Sequence, residues 1–136
     1  MSICILIVDD CDISRFVAKS LILNVEPKAK ILEAYDGQEA LDILQETDSV
    51  PHITFLDLNM PGMDGFTFLE ENQRAAILDE NIVVLSSSRR PDDIRRCKGF
   101  NSVADYISKP LSEESIISTI HALLPESLGH SVLSPS

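Results

Sequence analysis

Short apolar runs alternate with amphipathic stretches along the whole chain. Residues 3–8, 31–35, 52–56, 82–86 and 104–107 have the length and side chains of strands. Between them the apolar positions recur at helical spacing. A first helix is expected at about 14–24, with Ile13, Phe16, Val17 and Leu21 on its inward face and Pro27 beyond its end. Asp36-Gly37 reads as a turn into a second helix at about 38–45, carrying Ala40, Leu41, Ile43 and Leu44. Asp64-Gly65 opens a third helix at about 66–75. Pro91, with Asp92 and Asp93 in the first turn, starts a fourth at about 92–98, which Gly99 ends. Ser112-Glu113-Glu114 starts a fifth, running through Leu124 to Pro125.

Five strand-then-helix units predict an α/β fold, with a parallel sheet covered on both faces. The runs at 3–8, 52–56 and 82–86 are nearly all apolar, as strands buried on both sides must be. Right-handed crossovers bring the C-terminal ends of such strands to one edge, and ligands bind there. Asp9, Asp10, Asp57, Ser86 and Lys109 all fall at or just past a predicted strand end. Residues 1–124 are expected to form one domain. Residues 125–136, rich in Ser, are expected to form a loose tail, and 131–136 resembles the start of a linker in a longer regulator.

Composition narrows the function. A length of 136 residues with 44% hydrophobic and 24% charged residues suits one soluble domain with a real core. No apolar run approaches the ~20 residues of a membrane span, and the N-terminus lacks a signal-peptide pattern, so the cytoplasm is the expected compartment. Eleven basic against 22 acidic residues gives a net charge of −11, which disfavours nucleic acid and acidic membranes as partners. The one basic cluster, Arg89-Arg90 with Arg95-Arg96-Lys98, is either a solvated face or a docking patch for an acidic partner. Cys4, Cys11 and Cys97 lack the pairing and spacing of a disulfide framework or zinc site. Cys4 is expected in a strand. Cys11, beside two acids, is not expected to be a nucleophile.

Carboxylates from two strands crowd one another, and a bound divalent cation relieves that crowding. Mg²⁺ takes oxygen ligands and keeps several waters. Asp10 and Asp57 suit direct ligation, the Asn59 carbonyl a third position, and Asp9 contact through water. The competing role for the acidic pair is capping of the first helix by Asp10 or Asp12. Asp57 can act as a nucleophile, since carboxylates form aspartyl-phosphates. Lys109 can supply a movable positive charge and Ser86 a hydroxyl to a phosphoryl oxygen. Taken alone, Lys109 reads equally as a solvated strand-end lysine and Ser86 as a loop serine.

Four segments in order resemble the receiver domain of two-component response regulators, close to the single-domain chemotaxis type. They are Val8-Asp9-Asp10, the run from Leu56-Asp57 to Asp64-Gly65, Val83-Val84-Leu85-Ser86-Ser87, and Tyr106-Ile107-Ser108-Lys109-Pro110. The resemblance covers about residues 2–124. It implies a doubly wound, flavodoxin-like (βα)5 fold with strand order 2-1-3-4-5. Asp57 then looks like the phosphoacceptor, charged by a sensor histidine kinase or a histidine phosphotransfer protein. Asp9, Asp10, Asp57 and Asn59 look like the Mg²⁺ site. Ser86 and Tyr106 look like the switch pair, and Lys109 the family's lysine, followed by a cis proline. Asn59 and Ser88 stand where the family tunes dephosphorylation. Ser87 replaces the family's usual small apolar residue, but spacing keeps Ser86 as the switch hydroxyl.

The implied function is a phosphorylation-activated switch in a two-component phosphorelay. It catalyses only its own phosphorylation and dephosphorylation. The surface of the fourth helix, fifth strand and fifth helix presents the output to a protein target. A monomer is expected before phosphorylation, since the chain is acidic and no exposed apolar stripe stands out. Alternatives are a phosphorelay intermediate and a phosphorylation-independent adaptor. A dehalogenase-like phosphatase is disfavoured because Asn59 stands where its second acid belongs.

Overall fold

A computed structural model of the chain describes residues 3–46, 50–58, 64–78, 80–87 and 90–125. Its elements are β1 (Cys4–Val8), α1 (Asp12–Val25), β2 (Lys30–Ala34), α2 (Gly37–Glu46), β3 (Ile53–Asp57), α3 (Gly65–Ala75), β4 (Ile82–Ser86), α4 (Pro91–Lys98), β5 (Val103–Ser108) and α5 (Glu113–Leu123). The strands form one parallel sheet in the order β2-β1-β3-β4-β5. This is the doubly wound, flavodoxin-like architecture expected from the sequence, and predicted element ends lie within two residues of the observed ones. No helix among the described residues is long and apolar enough to cross a membrane.

The period-two alternation of the strands divides the core. Ile5, Ile7, Ile53, Phe55, Val83 and Leu85 face one side and pack with Ala18 and Ile22 of α1 and Ile116 and Ile120 of α5. Leu6, Val8, Leu56 and Ile82 face the other side and pack with Ala40 and Leu41 of α2 and Phe68 and Leu69 of α3. Val84, Leu58 and Cys97 form a smaller cluster beneath α4, with Phe66, Val103 and Tyr106 against it. β1, β3 and β4 are buried along their whole length, as nearly all-apolar central strands should be. Cys4 lies in β1, as expected.

The helix ends follow local chemistry. Asp64 caps α3 by accepting the Thr67 N–H, and Ser112 caps α5 by accepting the Ser115 N–H. Pro91 sits at the start of α4, where a missing N–H costs nothing.

The inward face of α1 differs from expectation. Ile13, Phe16 and Val17 are exposed, at 75%, 69% and 46% of their free surface, and only Leu21 of the expected set packs against the core. The buried stripe is instead Ala18 and Ile22, flanked by Leu21 and Val25. Ala18, small enough for close approach, sets the contact with the sheet, while the first turn lies over the end of β1 rather than over the core. The expectation of no exposed apolar stripe is thereby corrected. Capping of α1 by Asp10 or Asp12 is also absent: Cys11 holds the N-cap position without a side-chain bond, and Asp12 pairs with Arg15.

Candidate functional site: an acidic cluster at the sheet edge

The register between β1 and β3 pairs Ile7 with Phe55 and Val8 with Leu56. One step further come Asp9 and Asp57, the first charged positions after two largely apolar rows. Both are almost fully buried, at 4% and 5% exposure, whereas Asp10 is exposed. The register of the parallel pair thus sets two carboxylates side by side, and Asp10 adds a third from the rim. One carboxylate oxygen from each of Asp9, Asp10 and Asp57 lies within 4.8 Å of the others. Oxygen donors this close suit a hard divalent cation such as Mg²⁺.

Lys109 closes the cluster from just past the end of β5. Its ammonium lies 3.2 Å from Asp9 Oδ2 and 3.6 Å from Asp57 Oδ2. Its backbone N–H donates to the Ser86 carbonyl at 3.0 Å, which fixes the end of β5 against the end of β4. The Lys109-Pro110 bond is cis, as the resemblance implied. Burial is the largest single influence on Lys109 and opposes its charge. The Asp57 and Asp9 carboxylates and their hydrogen bonds together outweigh it, and the pKa rises above the ordinary lysine value. Lys109 is therefore a half-buried, ion-paired cation and not a solvated strand-end lysine.

Ser86 is the last residue of β4 and fully buried, so it is not a loop serine. Tyr106 is half-buried, beside the Leu58, Val84 and Cys97 cluster. Asn59 and Ser88 lie outside the described residues, as does Arg89. The rest of the basic cluster, Arg90, Arg95, Arg96 and Lys98, sits on α4 or just before it. Arg95 pairs with Asp92, while Arg96 pairs with Glu70 at 3.7 Å and stacks over the Phe66 ring at 4.0 Å.

Two residues of the site escaped the sequence reading. Ser14 donates its hydroxyl to Asp9 Oδ2 at 2.6 Å, and Arg15 donates from Nη1 to the Asp9 carbonyl at 2.6 Å. The signal for Ser14 was its place four residues before Ala18, a polar side chain on the stripe that is buried further along α1. That signal needs the correct stripe, and the larger apolar residues of α1 point to the wrong one.

A gap beside the cluster has a volume of about 240 Å³. Its apolar walls include Ile7, Val17, Phe55 and Leu111, and Asp9, Ser14 and Lys109 stand at its polar side.

Residues 5–121 match the family model described as response regulator receiver domain. The cyclic di-GMP phosphodiesterase RocR of Pseudomonas aeruginosa is 37% identical over 82% of this chain and 29% of its own length. The nitrate/nitrite response regulator NarL of Escherichia coli is 31% identical over 86% of this chain and 52% of its own. The sensor histidine kinase CheAY of Helicobacter pylori is 28% identical over 85% of this chain and 14% of its own. The chain thus spans at most about half the length of these three relatives. A two-component response regulator from Cytophaga hutchinsonii superposes with a TM-score of 0.82 at 26% identity, covering 93% of this chain and all of the other. With the model match spanning most of its residues and its fold shared with solved regulators, this chain belongs to the response regulator receiver domain family.

Proposed function

We propose that the protein is a phosphorylation-activated switch in which Asp57 accepts a phosphoryl group from a phosphohistidine. The observation that carries this reading is the convergence of three carboxylates within 4.8 Å and one ammonium within 3.6 Å of Asp57. An Asp57 carboxylate oxygen attacks phosphorus, the P–O bond forms, and the P–N bond to the donor imidazole breaks with its electron pair leaving on nitrogen. Transfer of this kind depends on charge neutralisation and alignment more than on covalent help. Lys109 supplies one positive charge at the acceptor oxygen. Asp9, Asp10 and Asp57, with the Asn59 carbonyl, would hold Mg²⁺, which supplies further positive charge to the phosphoryl oxygens.

The donor is a sensor histidine kinase or a histidine phosphotransfer protein. The exposed Ile13, Phe16 and Val17 at the start of α1 support this, because they put an apolar contact beside the acidic cluster. Phosphorylation adds charge and acceptor oxygens at the sheet edge. Ser86 and Tyr106 transmit the change to α4, β5 and α5, where a protein target binds. Residues 1–124 act as the receiver unit, with Asn59 and Ser88 setting the lifetime of the phosphorylated state. The protein acts on its own carboxylate and turns over no separate substrate. It works in the cytoplasm, and its net charge of −11 favours a monomer before phosphorylation.

The test is intact mass after incubation with a small phosphodonor and Mg²⁺. One added phosphoryl group is expected, lost in Asp57→Asn and on chelation of the metal. If labelling persists in Asp57→Asn, the phosphoacceptor assignment falls. If the folded wild type takes no label from the small donor or from a phosphohistidine protein, the switch reading falls.

A further inference from the structure

We infer that Ser14 is a positioning residue acting through Asp9, whose hydroxyl allows Lys109 to leave Asp9 and follow the phosphoryl group on Asp57. The inference rests on the phosphoacceptor reading above. It starts from an unequal sharing of one oxygen. Asp9 Oδ2 accepts both the Ser14 hydroxyl, at 2.6 Å, and the Lys109 ammonium, at 3.2 Å. Lys109 also reaches Asp57 Oδ2, at 3.6 Å. One cation therefore bridges two carboxylates, lying nearer to the one that is not the phosphoacceptor.

A phosphoryl group on Asp57 places new charge and acceptor oxygens beside this ammonium and draws it away from Asp9. Asp9 is only 4% exposed and faces a gap whose walls are mostly apolar, so water there is a poor substitute for the lost partner. Bound Mg²⁺ would offset part of the lost charge, but a buried carboxylate oxygen stripped of its hydrogen-bond donor would still oppose the move. Ser14 removes that opposition, because its hydroxyl stays on Oδ2 when the ammonium goes. The rest of Asp9 is held independently of Lys109. Oδ1 accepts the Cys11 N–H at 2.9 Å, and the carbonyl accepts Arg15 Nη1 at 2.6 Å. With Ser14 in place, Asp9 keeps its orientation in both states, and Lys109 is free to change partners.

The location of Ser14 fits this role better than a role in helix stability. It is the third residue of α1, where a serine can help cap the helix start. Its hydroxyl reaches instead back across the loop to the carboxylate at the strand end.

The deciding comparison is Ser14→Thr against Ser14→Val, two side chains of the same shape that differ in the hydroxyl. Phosphorylation by a small phosphodonor is followed by intact mass across a range of Mg²⁺ concentrations. Ser14→Thr is expected to label within about twofold of wild type. Ser14→Val is expected to label roughly tenfold more slowly at saturating Mg²⁺, the scale of losing one hydrogen bond to a charged group. Its Mg²⁺ half-saturation and melting temperature should match those of Ser14→Thr. Equal labelling of the two variants overturns the proposal. So does a loss in Ser14→Val matched by a rise in Mg²⁺ half-saturation, which assigns Ser14 to the metal site, or by a fall in melting temperature, which assigns it to folding. A wild type that takes no label sinks the phosphoacceptor reading itself, an outcome distinct from wild-type labelling that the Ser14 variants leave unchanged.

Discussion

The two edges of the sheet carry buried polar groups to opposite ends. At the edge where the strands begin, polar side chains close on the backbone. Asn72, fully buried, accepts the Leu78 N–H at 2.7 Å and donates to the Leu78 carbonyl at 2.9 Å. His52 Nδ1 accepts the Cys4 N–H at 2.9 Å, and Asn81 donates to the His52 carbonyl at 3.0 Å. These are neutral pairs that fix the connection after α3 and the approach to β1 and β3. At the edge where the strands end, three carboxylates meet one ammonium. Like charges there are held close by the strand register, and the resulting repulsion is relieved only by Lys109, by hydrogen bonds, or by an added cation. One edge uses polarity to define shape. The other stores charge that a ligand can neutralise, which is where stability is given up for function.

The sharpest way to break this contrast is at Gly65, the residue that joins shape to chemistry. A Cβ added there would lie 2.7 Å from the Leu58 Cα and 2.8 Å from the Asp57 carbonyl oxygen. Both are backbone atoms and cannot swing aside. Gly65→Ala should cost about 3 kcal/mol, the upper end for overpacking, and should also slow phosphorylation by displacing the end of β3. Urea unfolding and mass labelling of the same sample check both effects. Lost stability with wild-type labelling would show that the two edges are not coupled through this loop.

Asn72→Ala should separate them. It strands the buried N–H and carbonyl of Leu78 and should cost about 2 kcal/mol in urea unfolding. Labelling of the folded fraction should remain at the wild-type rate, because no contact links Asn72 to the acidic cluster among the described residues.

Cys97 probes the core between the edges. Burial, aided by Asp93 and opposed by Arg96, pushes its thiol from the ordinary 9.0 up to about 11. The folded state thus holds this proton more tightly than the unfolded chain. The associated stability is complete below pH 9 and is lost as pH rises from 9 to 11. Urea midpoints measured across that range should fall, and Cys97→Ala should fall less steeply.

The smallest change in stability is expected at Asp10. It is exposed and adds a like charge to the cluster. Asp10→Asn should leave the melting temperature unchanged or slightly raised, while calorimetry shows Mg²⁺ binding clearly weakened. A drop in stability would mean that Asp10 supports the fold rather than the site.

Much of this was legible in the sequence. The strand runs and their order along the chain, the polar residue after each run, and the motif spacing were enough to place Asp9, Asp10, Asp57, Ser86 and Lys109 at one sheet edge. An unbroken apolar run reports burial on both faces directly, so β1, β3 and β4 were read correctly. α1 was not. Its largest apolar residues lie on one arc, yet Ala18 and Ile22 pack and Phe16 stays exposed. Helical periodicity gives an arc but not which part of it meets a neighbour, and that depends on where the helix crosses the sheet.

The sequence by itself determined the alternation of elements, the buried character of the central strands and the set of charged groups at their ends, because these follow from local side-chain patterning. Only the tertiary structure decided how those groups share partners. That Asp9 takes Ser14 and Lys109 on one oxygen, that Asn72 closes on Leu78, and that α1 leaves Ile13, Phe16 and Val17 exposed all depend on distances between segments far apart in the chain or across its turns. Such distances are set by packing, and a hydrogen bond forms or fails over a few tenths of an ångström.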